Sequence, residues 1–350
     1  MAPLREGWQQ VDTHGNRRPT MADVAARAGV SRALVSIVFR GEAGASSATR
    51  ERILRVADEL GYRPDSAARL LARGHSRTLG VLLTLHQPFD ADLAEAVHPE
   101  AEKRGYDILL ATNAPGRSER KAVEALLSHR CEALILLGPG SGSTYLDELG
   151  RRTVTVSVGR RITGAHVDNV HTAEAKGVRQ AMDHLLGLGH RRIVHVDGGR
   201  DPGSAERRRA YRAAMRRHGL GDEIRVVPGR QTEEAGAAAA RSMLAERRLP
   251  TAVLASNDRS ALGLMMAFAR AGLDVPGDVS VVGYDDSHLS HLMPVGLTTV
   301  RQDPARLAEH AVRFAVERLE GEGVAPREAV LDPKLVVRAS TGLPRDDTGR

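Results

Sequence analysis

A helix-turn-helix head followed by an α/β body of two doubly wound lobes is the fold class the sequence predicts. Three observations predict it. Residues 20–61 hold three short helical patterns separated by glycine and serine turn signals, and from Leu79 onward short aliphatic runs alternate with amphipathic helical stretches. Charge is uneven: residues 1–77 carry thirteen arginines against eight carboxylates, so +5 of the chain's net +6 lies there. The body, at roughly 270 residues, is long for one sheet and points to two similar lobes. A basic head on a near-neutral body is the electrostatic footprint of phosphate contact. Taken alone, the charge also fits a solvated basic tail.

The elements follow in order. Residues 1–18 are polar and irregular and read as a disordered extension. Thr20 with Asp23 opens the first helix as a variant capping box, with Val24, Ala25 and Ala28 on one side. Gly29 supplies a tight turn, Val30 plugs the core and Ser31 caps a second helix running to about Arg40. At about 100° per residue, Arg32, Ala33, Ser36, Ile37 and Arg40 share one face, and Leu34, Val35 and Val38 share the other. The first face should point outward and the second inward. Arginine can donate twice to a guanine edge and small apolar groups can touch a thymine methyl, so the outward face suits a major groove. An ordinary three-helix bundle is the competing reading of this segment. A third helix begins near Ser46 or Ser47, with Ile53, Leu54, Ala57 and Leu60 as its core stripe, and ends at Gly61.

Beyond the break at Tyr62-Arg63-Pro64, strands are expected at 79–85, 106–111, 133–137, 153–158, 192–197, 224–227, 251–255 and 279–284. Helices are expected between them, among others at 91–104, 118–129, 172–188, 204–218, 233–247 and 259–271. Continuous apolar runs alternating with helices indicate buried parallel strands in βαβ units. Apolar residues make up 41% and aromatics only 3%, so aliphatic side chains must build the cores. A single cysteine, Cys131, excludes an internal disulfide framework and a multi-cysteine zinc site. The amino-terminal segment lacks the apolar core of a secretory signal, and no run approaches about 18 apolar residues, so a soluble cytoplasmic protein is expected.

The run from Thr20 to Gly74, TMADVAARAGVSRALVSIVFRG continuing to GYRPDSAARLLARG, resembles the head of the lactose-repressor (LacI/GalR) family. Further motifs match that family in order: Val167-Asp168, HLLGLGHRRIVHVDG (184–198), PTAVLASNDRSALG (250–263), VPGDVSVVGYDDS (275–287), LTTVRQD (297–303) and LVVRAST (335–341). The resemblance implies a body like the periplasmic binding proteins, two α/β lobes crossed by hinge strands with an effector between them. It implies a homodimeric transcriptional regulator, most often a repressor, that reads a pseudo-palindromic operator and responds to a sugar or related metabolite. Physics agrees on pairing, since one recognition helix spans too few base pairs for genomic discrimination. The implied division is 1–18 extension, 19–62 DNA-binding head, 63–77 hinge, 78–342 effector-binding and dimerisation domain, and 343–350 tail. Expected DNA contacts are Thr20, Ser31, Arg32, Ala33, Ser36, Ile37 and Arg40, with Ala68 and Leu71 in the hinge. Leu71 matches the leucine that relatives wedge into the minor groove, where unstacking is traded for a bent duplex.

In the body, Phe89, Arg160, Arg207, Asn257 and Asp285 match or neighbour positions that contact effectors in relatives, and Asp258 ends a strand beside Asn257. Strand carboxyl ends are where open α/β sheets bind ligands. Arginine, amide and carboxylate groups bond sugar hydroxyls in pairs, and an aromatic can stack on a sugar ring. Each of these residues also fits a surface or capping role. The chain departs from the family at Arg40, where asparagine is common, at Ile37, at Gln87-Pro88-Phe89-Asp90 and at Ala210-Tyr211. Those departures point to an operator other than the common family consensus, and to an effector that either differs from the common pattern or is absent. Three weaker signals are set aside. Gly138-Pro-Gly-Ser-Gly142 follows a strand but lacks the phosphate-loop lysine, and reads as a cleft-edge loop. Asp285, Asp286, His288 and His291 lack metal-ligand spacing on a helix, and no nucleophile–base set stands out, so no cofactor, metal or catalysis is expected. An exported solute-binding protein would explain the body but not the head, and an enzyme on the same scaffold is the remaining alternative.

Overall fold

The computed structural model describes residues 19–63, 75–292, 295–321 and 325–345. The chain divides into two compact units between Ser76 and Arg77.

The first unit is built from α1 (Met21–Ala28), α2 (Arg32–Arg40) and α3 (Ser47–Glu59). The Thr20 N–H donates to Asp23 Oδ2 at 2.7 Å, closing the start of α1. Gly29 takes φ 65°, which lets the chain reverse and the Val30 N–H reach Ala25 O at 3.0 Å. Ser31 Oγ then accepts the Leu34 N–H at 3.2 Å, and Ser46 Oγ accepts the Thr49 N–H at 3.3 Å. Val24, Ala25, Ala28, Val35, Val38, Ile53, Val56 and Ala57 form the core, with Tyr62 edge-on to Phe39 at 5.5 Å. Two sequence expectations change here. Leu34 is only partly buried, and Leu54 is 41% exposed, because the α3 stripe turns through Val56 instead. Tyr62, read as part of a break, is a core residue.

The second unit holds two sheets. The first lobe runs β1 (Thr78–Thr84), α4 (Pro88–Glu102), β2 (Asp107–Asn113), α5 (Glu119–Ser128), β3 (Ala133–Leu137), α6 (Ser143–Arg152), β4 (Val154–Val158) and β5 (Val167–Thr172). The second runs α7 (Glu174–Gly187), β6 (Ile193–Val196), α8 (Ser204–Arg217), β7 (Arg225–Val227), α9 (Glu233–Leu244), β8 (Ala252–Leu254), α10 (Asp258–Arg270), β9 (Ser280–Asp285), α11 (Leu289–Leu292) and β10 (Thr298–Arg301). The chain then returns to the first lobe with α12 (Pro304–Glu320) and β11 (Glu328–Leu331), and ends on the second with β12 (Lys334–Val336). Strand orders are β11-β5-β4-β3-β1-β2 and β12-β10-β9-β8-β6-β7, parallel except for β12 against β10. The connections after β5, β10 and β11 therefore cross between lobes.

Alternation along β3 shows why apolar runs become central strands: Ala133, Ile135 and Leu137 join one core layer, Leu134 and Leu136 the other. Helices α9 and α10 approach through glycines. A Cβ on Gly236 would lie 2.0 Å from Ser260 O, and one on Gly263 1.9 Å from Glu233 O. That close crossing sets the amino-terminal ends of both helices side by side at the lobe junction.

Several elements were not singled out in the sequence. Strand β5 reads VDNVHT and buries Asp168 and Asn169, so it shows no apolar run. Asp168 accepts the Arg327 N–H at 2.6 Å and lies 3.5 Å from Arg318, while Asn169 Oδ1 accepts the Ile162 N–H at 2.6 Å. Helix α12 carries its apolar stripe (Leu307, Ala308, Ala311, Val312, Ala315) between arginines and glutamates, and packs with α4 on the first sheet. Among the described residues no helix is long and apolar enough to cross a membrane.

Candidate functional site

On α2, Arg32, Ala33 and Arg40 are exposed, and Ser36 and Ile37 are half-buried between them and the core. Arg40 reaches back along the helix: its Nη1 donates to Ser36 Oγ at 2.6 Å and its Nε to Glu42 Oε1 at 2.7 Å. Ser31 spends its hydroxyl on the helix cap, and Thr20 stands exposed at the start of α1. The face that the helical wheel assembles is thus continuous on the head. Ala68 and Leu71 lie outside the described residues.

In the second unit the chemistry gathers at the carboxyl ends of strands. Arg207, in the first turn of α8, is 4% exposed. Its Nε donates to Glu174 Oε2 at 2.7 Å and its Nη1 to Ser256 O at 2.6 Å, with Asp285 Oδ1 3.8 Å from Nη2. The guanidinium carbon sits 3.6 Å from the Tyr284 ring centroid. Burial opposes this charge, but Glu174, Tyr284 and Asp285 together hold it above its ordinary range. Asp285 accepts from Gln302 Nε2 at 2.8 Å. Burial pushes its carboxyl up, and Arg207 and Gln302 only partly offset that. Asp285 and Asp286 have φ 111° and 53°, consecutive positive values for residues with side chains. Strain of this kind is held in place by surrounding structure and clusters at functional sites.

Asn257 and Asp258 start α10 with both side chains engaged. Asn257 Oδ1 accepts the Ser260 N–H at 3.0 Å as a helix cap. Asp258 accepts from the Ser287 N–H at 2.8 Å and the Thr299 hydroxyl at 2.6 Å. Burial, then the Asp285 charge, drives the Asp258 carboxyl up. From the first lobe comes Asp90, whose Oδ2 accepts the Thr84 N–H at 2.9 Å. Burial pushes Asp90 to about 7, partly offset by that N–H, and the Asp285 charge adds to the rise.

Phe89, beside Asp90, is half-buried against the first-lobe core. Arg160 directs Nη1 to the carbonyls of Pro139 (2.7 Å) and Ser141 (2.8 Å). The Gly140 and Ser141 amides of that loop donate to Glu119 at 2.7 and 3.2 Å, so the chain's own carboxylate fills what a phosphate would occupy. Of the five expected effector residues, then, Arg207 and Asp285 meet directly. Asn257 follows Ser256, whose carbonyl binds Arg207, while Phe89 and Arg160 stand on the first lobe. The Asp286–His291 segment is tied down by arginines: Asp286 pairs with Arg338 at 2.6 Å and Arg301 at 2.7 Å.

A cavity of about 610 Å³ opens beside this cluster, between residues 83–88 of the first lobe and Glu233, Glu234, Arg259 and Leu289 of the second. Arg207 is not among the residues that line it, whereas Thr84, the hydrogen-bond partner of Asp90, is. Gln231 bridges the cavity's two walls, its carbonyl accepting from Gln87 and Arg259 at 3.4 Å each, and its amide donates to Pro202 O at 2.9 Å in the loop before α8. A further bond between the lobes joins His288 Nδ1 to Asp92 at 3.0 Å.

Sequence reasoning missed Glu174, Asp90, Tyr284 and Gln302. Tyr284 and Gln302 lay inside recognised motifs, and Asp90 closed the Gln87–Asp90 segment noted as a departure. Glu174 left no local signal, because its partner Arg207 is distant in the chain.

The model of bacterial regulatory proteins of the lacI family matches residues 20–65, and that of a periplasmic binding protein-like domain matches 182–341. The HTH-type transcriptional regulator CelR of Thermobifida fusca is 32% identical over 335 residues, covering 93% of this chain and 98% of that protein. The lac repressor dimer bound to operator and the anti-inducer ONPF superposes with a TM-score of 0.80 at 27% identity, covering 93% and 100%. A transcriptional regulator CelR–cellobiose complex gives 0.67 at 31% identity, covering 92% and 100%.

Proposed function

The chain belongs to the lacI family of bacterial regulatory proteins, whose relatives are DNA-binding transcriptional regulators, and on that premise we propose how it carries out regulation. It acts in the cytoplasm as a homodimeric repressor, by binding and without turnover. Each α2 enters the major groove of one half of a pseudo-palindromic operator. Arg32, Ala33, Ser36, Ile37 and Arg40 face the bases, and Thr20 and Ser31 lie by the backbone. Ala68 and Leu71 of the hinge enter the minor groove between the half-sites. The lac repressor bound to operator supports this reading by its likeness along nearly the whole chain.

The effector is a sugar or sugar derivative held between the lobes by Arg207 and Asp285, with Asn257, Phe89 and Arg160 around it. The observation that carries this is unused bonding capacity beside one buried ion pair. Among the described residues, Ser256 Oγ and Gln302 Oε1 are buried without a hydrogen-bond partner; the Ser256 carbonyl binds Arg207 and the Gln302 amide binds Asp285. Buried polar atoms without partners are costly, and ligand hydroxyls would satisfy them. The likeness to the CelR–cellobiose complex supports a carbohydrate. A ligand shifts operator affinity only by binding two lobe arrangements unequally, so effector and operator must change each other's affinity by the same factor.

Two measurements test the proposal. Selection from random duplexes should return a palindrome, and a thermal-shift screen of sugars and sugar phosphates should return a ligand that alters binding to it. Bound duplexes without two-fold symmetry, or a sugar that stabilises the protein yet leaves DNA binding unchanged, would sink it.

A further inference from the structure

Arg40 is held in one orientation by its own chain. Gly41, at φ 73°, ends α2 and turns the backbone so that the Glu42 N–H bonds back to Ile37 O at 3.2 Å. Arg50 of α3 then clamps the turn, donating to Val38 O at 3.1 Å and to Glu42 O at 2.8 Å. These three bonds fix the turn that carries Glu42, two of them made by its own backbone. Its carboxylate receives Arg40 Nε at 2.7 Å, and Arg40 Nη1 reaches Ser36 Oγ one turn back at 2.6 Å. The guanidinium therefore lies along the face that carries Arg32 and Ser36. Nε is spent on Glu42 and one Nη1 hydrogen on Ser36, which leaves Nη2 and the second Nη1 hydrogen for an outside acceptor.

An exposed ion pair contributes little to folding, so stability does not account for this arrangement. A free arginine at the end of a recognition helix can swing to a phosphate, which yields affinity without sequence information. A carboxylate beside it opposes that motion, and it also sets a negative charge next to the DNA backbone. We propose that Glu42 is a specificity-determining residue: it holds Arg40 on the base-reading face and trades general DNA affinity for base discrimination. The inference rests on α2 being the reading helix.

The test uses the full chain, its preferred duplex obtained by selection, single base-pair variants of that duplex, and an unrelated duplex, at several salt concentrations. Arg40→Met identifies the base pair that Arg40 reads, and Arg32→Met serves as control at another position. E42A and E42Q should bind the unrelated duplex about two- to fivefold tighter at low salt. At the Arg40 base pair, both should lose about fivefold or more of the discrimination, with the Arg32 position unchanged. Discrimination retained in E42A while R40M abolishes it overturns the proposal. A uniform loss at every position, or weaker binding to all duplexes, shows a structural role and also overturns it. Loss at a base pair that R40M leaves alone means Glu42 reads that base itself, which overturns the positioning role. If neither R40M nor R32M alters any base preference, the reading of α2 falls and this inference with it. Unchanged thermal unfolding of E42A confirms that the head is intact in each arm.

Discussion

Arg40–Glu42 in the head and Arg207–Glu174 in the body each close at 2.7 Å, yet their surroundings differ. The head pair has side chains 36% and 50% exposed, the body pair 5% and 7%. In water a guanidinium keeps its remaining N–H groups open to a further acceptor, so the head pair can present Arg40 to a base while Glu42 holds it. In the interior each charge has given up its hydration, and separating the pair leaves a buried charge with nothing to replace it. The same two groups thus make a guide in one place and a fixed post in the other.

Breaking the buried pair should produce the largest effect. Arg207→Met should lower the unfolding free energy of the body by about 3–5 kcal/mol, because Glu174 stays buried without its partner. Denaturant titration of the full chain measures this, and an unchanged midpoint would mean that burial is not what separates the two pairs. Replacing both members, Arg207→Met with Glu174→Leu, should restore most of that stability while leaving the sugar response absent. Recovery of both would make the pair purely structural.

Asp90 sharpens the comparison through pH. Its carboxyl sits near 7 in the folded chain, chiefly from burial, against an ordinary value near 3.9. The folded state therefore holds this proton more tightly than the unfolded chain does. That contribution to stability is full below about pH 4, falls as pH rises, and is gone above about pH 7. Asp90→Asn should remove a few kcal/mol of this dependence and leave the body more stable than the wild type at pH 8. Urea midpoints between pH 5 and 8 test it, and parallel profiles for the two proteins would refute it. Arg40→Met, last in order, should not move the unfolding midpoint of the head at all and should alter only the choice of DNA, as read by anisotropy on duplex variants. A clear loss of stability there would erase the contrast between the pairs.

Much of the head was legible along the chain because its interactions are local. Ser31 and Ser46 cap helices within three residues, and Gly29 and Gly41 end them by positive φ. The outward placement of Arg32, Ala33 and Arg40 is a matter of helical period. The strand–helix alternation of the body was legible for the same reason wherever strands are apolar throughout. It failed at β5, where Asp168 and Asn169 are buried and satisfied by distant partners, and at α12, whose stripe returns to the first sheet after the whole second lobe has intervened.

The sequence by itself determined the class of machine: a basic three-helix reader, an α/β body of βαβ units, and ordered motifs that mark the family. Only the tertiary structure decided how the cleft is wired. Glu174 and Arg207 are 33 positions apart, Asp285 and Gln302 are 17 apart, and Asp90 comes from the opposite lobe. Pairings over such spans carry no periodicity, because packing of the whole sheet decides which carboxylate meets which guanidinium. The head shows the same limit on a smaller scale. Arg40 was read as groove-facing from helical period alone, but its tether depends on Arg50, which reaches it only once α3 is packed against α2.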